Sequence, residues 1–518
     1  MATLPDYTQW QLEDQIAQMI VVRASGHLFD QQIRYPQWEP TNERLRYWLE
    51  SLNVGGVILL GGSAAEIYQR TQQLQDWAAT PLLIAADIEE GVGQRFDGAT
   101  WFPPPMALSA MGEEGKDYAA KMGEVTAQEA LALGINWLFA PVVDVNNNPD
   151  NPVINVRAFG EEPQTVTELT TAFIEGAHRY PVLTTAKHFP GHGDTATDSH
   201  LSLPVLNLGT ERLKEMELPP FIRAIAQGVD AVMSAHILVP AWDDVFPATL
   251  SSTALTQQLR LNLGFQGLVV TDALVMGALK DIASPEELPI FAIEAGADII
   301  LMPENPEGAI AAIADAVNSG RLSRQRITAS LARIWEAKKK ARISPPTENF
   351  IKELSTPLAE KATTEILEAC LQTHGNLPIS PPESASRNLV IVDDLLDCDH
   401  LHKNSSAIAL PEKLGYELQL VGQAQMFSHS PEKSPLTLVQ IFTRGNPFRG
   451  ESGLNEVTKT LLEALLKQGC VQAVVVYGSP YVGTWLEKTL PDDVPWLFSY
   501  GQMEKSSAIA LKTLFGHK

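Results

Sequence analysis

Seven runs of strand length, rich in β-branched and apolar residues and separated by longer segments of helical period, recur within the first 302 residues. They are VGGVILL (54–60), PLLIAAD (81–87), INWLFAPVVDV (135–145), PVLTTAKH (181–188), GVDAVMSAHI (228–237), GLVVTDA (267–273) and ADIILM (297–302). All are apolar throughout rather than alternating, the pattern of parallel strands covered on both faces. AAEIYQRTQQLQDWAAT and PEGAIAAIADAVNSG supply two of the intervening helices, the second closed by Gly320. Strands alternating with helices specify an α/β fold, and this spacing predicts a (β/α)8 TIM-type barrel with its eighth strand unassigned.

At 518 residues the chain is longer than a barrel of about 250 residues requires, so a second domain is expected. Pro/Ser-rich stretches at 338–350 and 374–388 bracket one predicted helix, 357–372, and mark a linker. Beyond it NLVIVDDL, LTLVQIFTRG, VQAVVVYGSPY and VPWLFSYG, with helices between them, predict a smaller three-layer α/β sandwich. The expected organisation is a barrel over 1–343, a linker with one helix over 344–387 and the sandwich over 388–518.

The net charge of −24 disfavours nucleic acid and anionic lipid as partners. The N-terminus lacks a cationic segment followed by an apolar core, and no run of 18 apolar residues follows, so a soluble cytoplasmic protein is expected. The three cysteines, Cys370, Cys398 and Cys470, have no CxxC spacing and read as small hydrophobes rather than a disulfide framework or a zinc site.

Barrel enzymes carry their reactive groups where strands end. Here the apolar runs end in Asp87, in Asp144 and Asn146, in Lys187 and His188, in His236 and in Asp272. One Asp in such a place is usually a helix cap, but Lys187 and His188 are poor caps and the set as a whole points to a site. The loop KHFPGHGDTATDSH (187–200) permits two readings. His188, His192, Asp194 and His200 have the residue types of a metal site, although their spacing is unconvincing. Alternatively, Asp198 and His200, at i and i+2, form a dyad in which the carboxylate orients an imidazole able to give and take a proton. Pro190, Gly191 and Gly193 allow the sharp turns that would carry the dyad over a pocket.

KHFPGHGDTATDSHLSLP (187–204), NPVINVRAFG (151–160), PATLS (247–251) and LGFQGLVVTDALVMGAL (263–279) resemble glycoside hydrolase family 3, in its β-N-acetylglucosaminidase branch. The resemblance runs from about residue 10 to 340, with the C-terminal part matching more loosely. It implies a retaining exo-glycosidase that removes terminal β-linked N-acetylglucosamine through a covalent intermediate, with a small carbohydrate as partner and neither metal nor organic cofactor. By the same resemblance Asp272 is the nucleophile and Asp198 and His200 are the acid/base pair, histidine replacing the usual carboxylic acid. Asp87, Arg95, Arg157, Lys187 and His188 would grip sugar hydroxyls, with Met233 and His236 near the pocket floor. The loop DIEEGVGQRF departs from the usual DQEGGRVQRF, with Glu90 for glycine and Val92 for arginine. Ala273 replaces an aspartate, which should ease ionisation of Asp272. The second domain is expected to play a supporting role, with YGSPYVGTW (477–485) as its candidate ligand loop, although such a loop is more often a helix-capping turn. Three other functions stay open: a β-glucosidase or other family 3 exo-glycosidase, a metal-dependent hydrolase using His188, His192 and His200, and a non-catalytic sugar binder. Fragments of peptidoglycan are the expected substrate pool, and phosphate in place of water as acceptor is chemically open.

Overall fold

The computed structural model describes residues 4–341, 349–395, 398, 400–423, 434–445 and 452–516; residues 344–348 of the expected linker and the last two residues lie outside them. Eight parallel strands form the first body: β1 (Ile20–Ser25), β2 (Gly56–Leu60), β3 (Leu83–Ala86), β4 (Trp137–Leu138), β5 (Thr185–Phe189), β6 (Ala231–Ser234), β7 (Leu268–Thr271) and β8 (Ile300–Leu301). Ladders join them in the orders β4-β3-β2-β1-β8 and β5-β6-β7. Bridges Trp137↔Leu183, Val142↔Lys187 and Val270↔Ile299 close the ring. The strand missing from the sequence reading is therefore the first in the chain. IVVRAS follows the short helix Leu12–Ala17 after only Gln18 and Met19, with no turn residue to separate the two periods.

Local signals explain the surrounding helices. Ser63 and Glu66 make a reciprocal capping box at the start of Ala64–Trp77. Gly320, at φ +81°, follows helix Pro306–Asn318 in a conformation that favours glycine.

The second body is a six-stranded sheet ordered β11-β10-β12-β13-β14-β9, with β9 (Gln372–His374), β10 (Ser386–Val392), β11 (Tyr416–Gly422), β12 (Thr437–Thr443), β13 (Val471–Gly478) and β14 (Trp496–Ser499). Only β9 runs antiparallel, added at the edge from within the segment expected to be linker. β10, β12, β13 and β14 coincide with the four apolar runs. β11 has no apolar run to mark it, because Glu417 and Gln419 flank Leu418 and all three are exposed. Alternate strand residues pack against helices Ser406–Lys413 and Glu504–Phe515 on one face. Helices Glu456–Lys467 and Pro480–Thr489 cover the other face, whose apolar cluster is continuous with the barrel core. Together these elements make a TIM-like barrel followed by an α/β sandwich.

The chain leaves β10 towards β11 on one side and β12 on the other, which creates a topological switch point, the usual crevice for ligands in open α/β sheets. In this protein the crevice faces the C-terminal mouth of the barrel. Asp393, Gln423 and Arg444, just beyond β10, β11 and β12, line the same cavity as Asp87, Lys187 and Asp272. Among the described residues no helix is long and apolar enough to cross a membrane.

Candidate active site

The cavity between barrel and sandwich encloses about 1230 Å³. On its barrel side the ends of β3 and β5 and the loop after β4 bring together four charged groups. Lys187 Nζ donates to Asp87 Oδ1 at 2.8 Å and lies 2.6 Å from Glu89 Oε1. Arg157 grips Glu89 with two bonds of 2.8 Å, from Nε and Nη2, the bidentate geometry a guanidinium favours. Burial alone would raise the Glu89 carboxyl, but Arg157 and Lys187 hold it well below the ordinary carboxylate range. For Lys187 burial acts downwards, and Asp87 and Glu89 outweigh it and raise its pKa. Both cations thus stay charged although Lys187 is buried and Arg157 largely so. Asp87 keeps a side-chain exposure of 29% against 2% for Glu89 and for Lys187, so the outermost carboxylate of this cage is the one turned to the cavity. Arg95 donates from Nε to the Asp87 carbonyl and lines the same wall.

Adjacent strand residues normally point to opposite faces, yet Lys187 and His188 both reach the cavity. A register irregularity explains this: Lys187 pairs with Met233 and Phe189 with Ser234, leaving His188 as the extra residue of a bulge. Asp144, fully buried, then fixes the loop that follows. Its Oδ2 lies 2.8 Å from His188 Nδ1, and its Oδ1 accepts the backbone N–H groups of His188 and His192 at 3.1 and 2.7 Å. Asn151 Nδ2 adds bonds to the carbonyls of His192 and Gly193. A Cβ at Gly193 would stand 1.6 Å from the Val145 carbonyl oxygen, so only glycine fits there.

The loop ends on the dyad. Asp198 Oδ1 accepts the His200 backbone N–H at 2.8 Å and lies 2.9 Å from its Nδ1. Asp198 is shut in at 1% exposure while His200, at 21%, opens on the cavity. Gly277 and Ala278, downstream of β7, donate backbone N–H groups to the carbonyls of His200 and Ser199, seating the dyad on the strand end that carries Asp272. Asp272 Oδ1 accepts the Ala273 N–H at 2.7 Å. Burial pushes the Asp272 carboxyl up, but the imidazoles of His188, His236 and His200 and this backbone bond bring it below its ordinary value.

Of the residues expected from sequence, Asp272, His200, Asp87, Arg95, Arg157, Lys187, His188 and Met233 line this one cavity. Asp198 stands behind His200. His236 does not reach the wall: it lies beneath Asp272, with Nε2 bonded to the Ala273 carbonyl and Nδ1 near the Thr249 hydroxyl, and burial pushes its pKa down. The three imidazoles of the metal reading do not share a focus. Both ring nitrogens of His192 are engaged, by Thr195 at 2.6 Å and Ser199 at 3.0 Å. Burial lowers its pKa to about 4. Among the described residues no three His, Cys, Asp or Glu side chains are grouped as a metal would need.

Sequence reading passes over Glu89 and the sandwich wall, and gives Asp144 only as a strand end. Glu89 had a usable signal, since it sits two residues after Asp87 in a segment leaving a strand. YGSPYVGTW is not part of the wall: Pro480–Thr489 is a helix, and Tyr481 bonds to Asn146 and Glu161 at the domain contact.

The family model for the glycosyl hydrolase family 3 N-terminal domain matches residues 11–337, and that for the bacterial glycosyl hydrolase family 3 C-terminal domain matches 380–516. A protein named β-hexosaminidase A from Pseudoalteromonas piscicida is 33% identical over 482 residues, covering 83% of this chain and 80% of that protein. The solved structure of a family 3 β-N-acetylglucosaminidase from Paenibacillus sp. str. FPU-7 superposes with a TM-score of 0.80 at 30% identity, over 98% of this chain and 97% of that one. A β-glucoside phosphorylase superposes at 0.84 with 23% identity, over 98% of this chain and 93% of that one, a likeness of fold alone.

Proposed function

The chain belongs to glycosyl hydrolase family 3, and from that premise we propose that it is a retaining exo-glycosidase releasing terminal, non-reducing β-linked N-acetylglucosamine, or N-acetylhexosamine more broadly. The observation that carries the reading is the seating of the Asp198/His200 dyad on the strand end of Asp272, with both facing one cavity. Asp272, ionised, attacks the anomeric carbon as the bond to the leaving oxygen breaks, and His200 gives that oxygen its proton. The neutral imidazole then takes a proton from water, whose oxygen displaces Asp272 and regenerates the carboxylate. Asp87, Arg95, Arg157, Lys187 and His188 grip the sugar hydroxyls. Because the cage is buried and paired, an epimer that fails to meet Asp87 leaves charged groups without partners, which penalises the wrong sugar. Met233 shapes the wall, and His236 supports Asp272 from below rather than touching sugar. The catalytic unit is residues 1–343, joined to the sandwich at 388–518 through 344–387, a segment that also supplies the sandwich's edge strand β9 and the first residues of β10. A cytoplasmic role in recovering peptidoglycan fragments goes with this reading, with muropeptides as the substrate pool.

The deciding experiment compares turnover of p-nitrophenyl N-acetyl-β-D-glucosaminide with that of the matching β-glucoside, each with and without EDTA. Selective, EDTA-resistant cleavage of the first is expected. Preference for the glucoside moves the chain to the β-glucosidase reading, and EDTA-abolished activity restores the metal-dependent one.

A further inference from the structure

Glu90, the residue that departs from the loop pattern, has a fully buried carboxylate shared between the two domains. Trp101 Nε1 donates to its Oε2 at 2.9 Å, and Arg444 Nη2, from the sandwich, donates to its Oε1 at 2.6 Å. Its neighbour Glu89 organises Arg157 and Lys187. A single peptide unit therefore joins the carboxylate at the centre of the cage to one whose cation comes from the other domain. Arg444 is itself held at the switch point, where its backbone N–H donates to Asp393 Oδ2 while Gln423 Nε2 donates to Asp393 Oδ1.

Two further contacts land on the loop that carries Arg157. A Cβ on Gly445 would stand 2.6 Å from Asn155 Cβ and 2.9 Å from the Pro152 carbonyl oxygen, so the sandwich backbone presses directly on that loop. Asn155 is among the few non-glycine residues with positive φ, at +46°, a conformation that persists only where its surroundings impose it. The Tyr481 hydroxyl accepts from Asn146 Nδ2 at 2.6 Å and donates to Glu161 Oε1 at 2.7 Å. The sandwich thus touches both loops that the Glu89–Arg157 pair ties together. The guanidinium expected at position 92 is absent, because Val92 is buried there, and Arg444 brings one to the same loop from the other domain.

We propose that Arg444 is a positioning residue for the barrel's sugar cage: through Glu90, with Gly445 bearing on Asn155, the sandwich sets the geometry of Glu89, Arg157 and Lys187. The inference rests on the glycosidase reading above. Without Arg444, Glu90 is a buried carboxylate with no cation, and the loop shifts to hydrate it. A displacement of about 1 Å in groups that orient a substrate can cost on the order of a hundredfold in rate.

The test uses the full-length chain and the variants R444M, R444K, E90Q, R444M/E90Q and G445A. It measures kcat and KM on p-nitrophenyl N-acetyl-β-D-glucosaminide, the Kd of N-acetylglucosamine by calorimetry, and thermal unfolding. R444M and E90Q are each expected to lower kcat/KM by about tenfold or more, with a parallel weakening of N-acetylglucosamine. The double variant should lose no more than the worse single, because both changes break one interaction. R444K should recover part of the loss by keeping a cation on Glu90, and G445A should lower kcat/KM with the ion pair intact. Losses that multiply in the double variant, or an R444M enzyme within about twofold of the wild type, overturn the proposal. Should R444M fail to fold, an E90Q enzyme with unchanged kcat/KM overturns it equally. Wild-type turnover alone tests the glycosidase reading. If the wild type prefers another glycoside, the same variant ratios on that substrate still test the brace.

Discussion

The barrel buries an acid–base cluster at each end, and the one at the C-terminal end lines the cavity between barrel and sandwich. At the N-terminal end Asp298, fully buried, is bonded by Ser330, by the Val269 backbone N–H and by Arg260, Arg326 and Arg333. Burial lowers Arg260 to about 10 despite the carboxylate beside it. Arg260 and Arg326 spend their remaining donors on backbone carbonyls and on Ser330. At the C-terminal end Glu89 plays a similar central part between Arg157 and Lys187, but Asp87 beside it is partly open to about 1230 Å³ of space. Density of buried charge is therefore not what identifies a site. What separates the two clusters is spare hydrogen-bonding capacity facing a volume that a ligand can fill. This difference agrees with the general division of barrels into a reactive C-terminal face and a stabilising N-terminal one.

The comparison can be broken by mutation. The largest effect is expected for Asp272→Ala, with kcat falling on the order of a thousandfold or more and thermal unfolding unchanged. Retained turnover would place the nucleophile elsewhere. His200→Ala should follow, costing about a hundredfold on substrates with unactivated leaving groups and far less on aryl glycosides, whose phenolates need little protonation. Equal losses on both would remove its role as acid. Glu89→Gln and Asp298→Asn then test the two ends directly. Glu89→Gln should lower kcat/KM by about a hundredfold through the misplaced cage. Asp298→Asn should leave kcat of the folded protein intact and lower its stability by about 3–5 kcal/mol, measured by denaturant unfolding. A kinetic defect in Asp298→Asn would erase the distinction between the ends.

The smallest effect concerns a third buried carboxylate, Glu217, against which Gly191 of the dyad loop packs. Burial pushes Glu217 up to about 7; Arg212, 3.5 Å away, opposes this, and Asp194 adds to it. A carboxyl whose folded value lies above its unfolded one costs stability as pH rises from about 4.5 through 7. Glu217→Gln should therefore raise the melting temperature at pH 8 and leave it nearly unchanged at pH 4, below the range in which the cost develops. A gain at both values would assign the effect to packing instead of charge.

How much of this could be read from sequence depended on distance along the chain. Apolar runs revealed strands whose two faces are both covered, and they failed for β11, whose middle is exposed, and for β1, which begins two residues after a helix. Strand ends pointed to Asp87, Lys187, His188 and Asp272 because a barrel gathers those ends at one mouth. The i, i+2 spacing pointed to Asp198 and His200, which do meet at 2.9 Å. Asp144 was noticed only as a strand end, since its partners, the His188 and His192 amides, are a property of the folded loop. Glu90 looked like a local oddity, because its partner Arg444 lies 354 positions away and no local periodicity links them.

That separation also acts in time. A ribosome adds about 5–20 residues per second, so Arg444 emerges roughly 20–70 s after Glu90. Only in the last part of that interval, once β8 has emerged with Leu301, can a nascent barrel close its ring, and one carboxylate in its pocket wall then still lacks its counter-ion. On the proposal above, full catalytic competence waits for the sandwich to emerge, and a chain released before Arg444 would carry Asp272 and the dyad in a pocket lacking that wall.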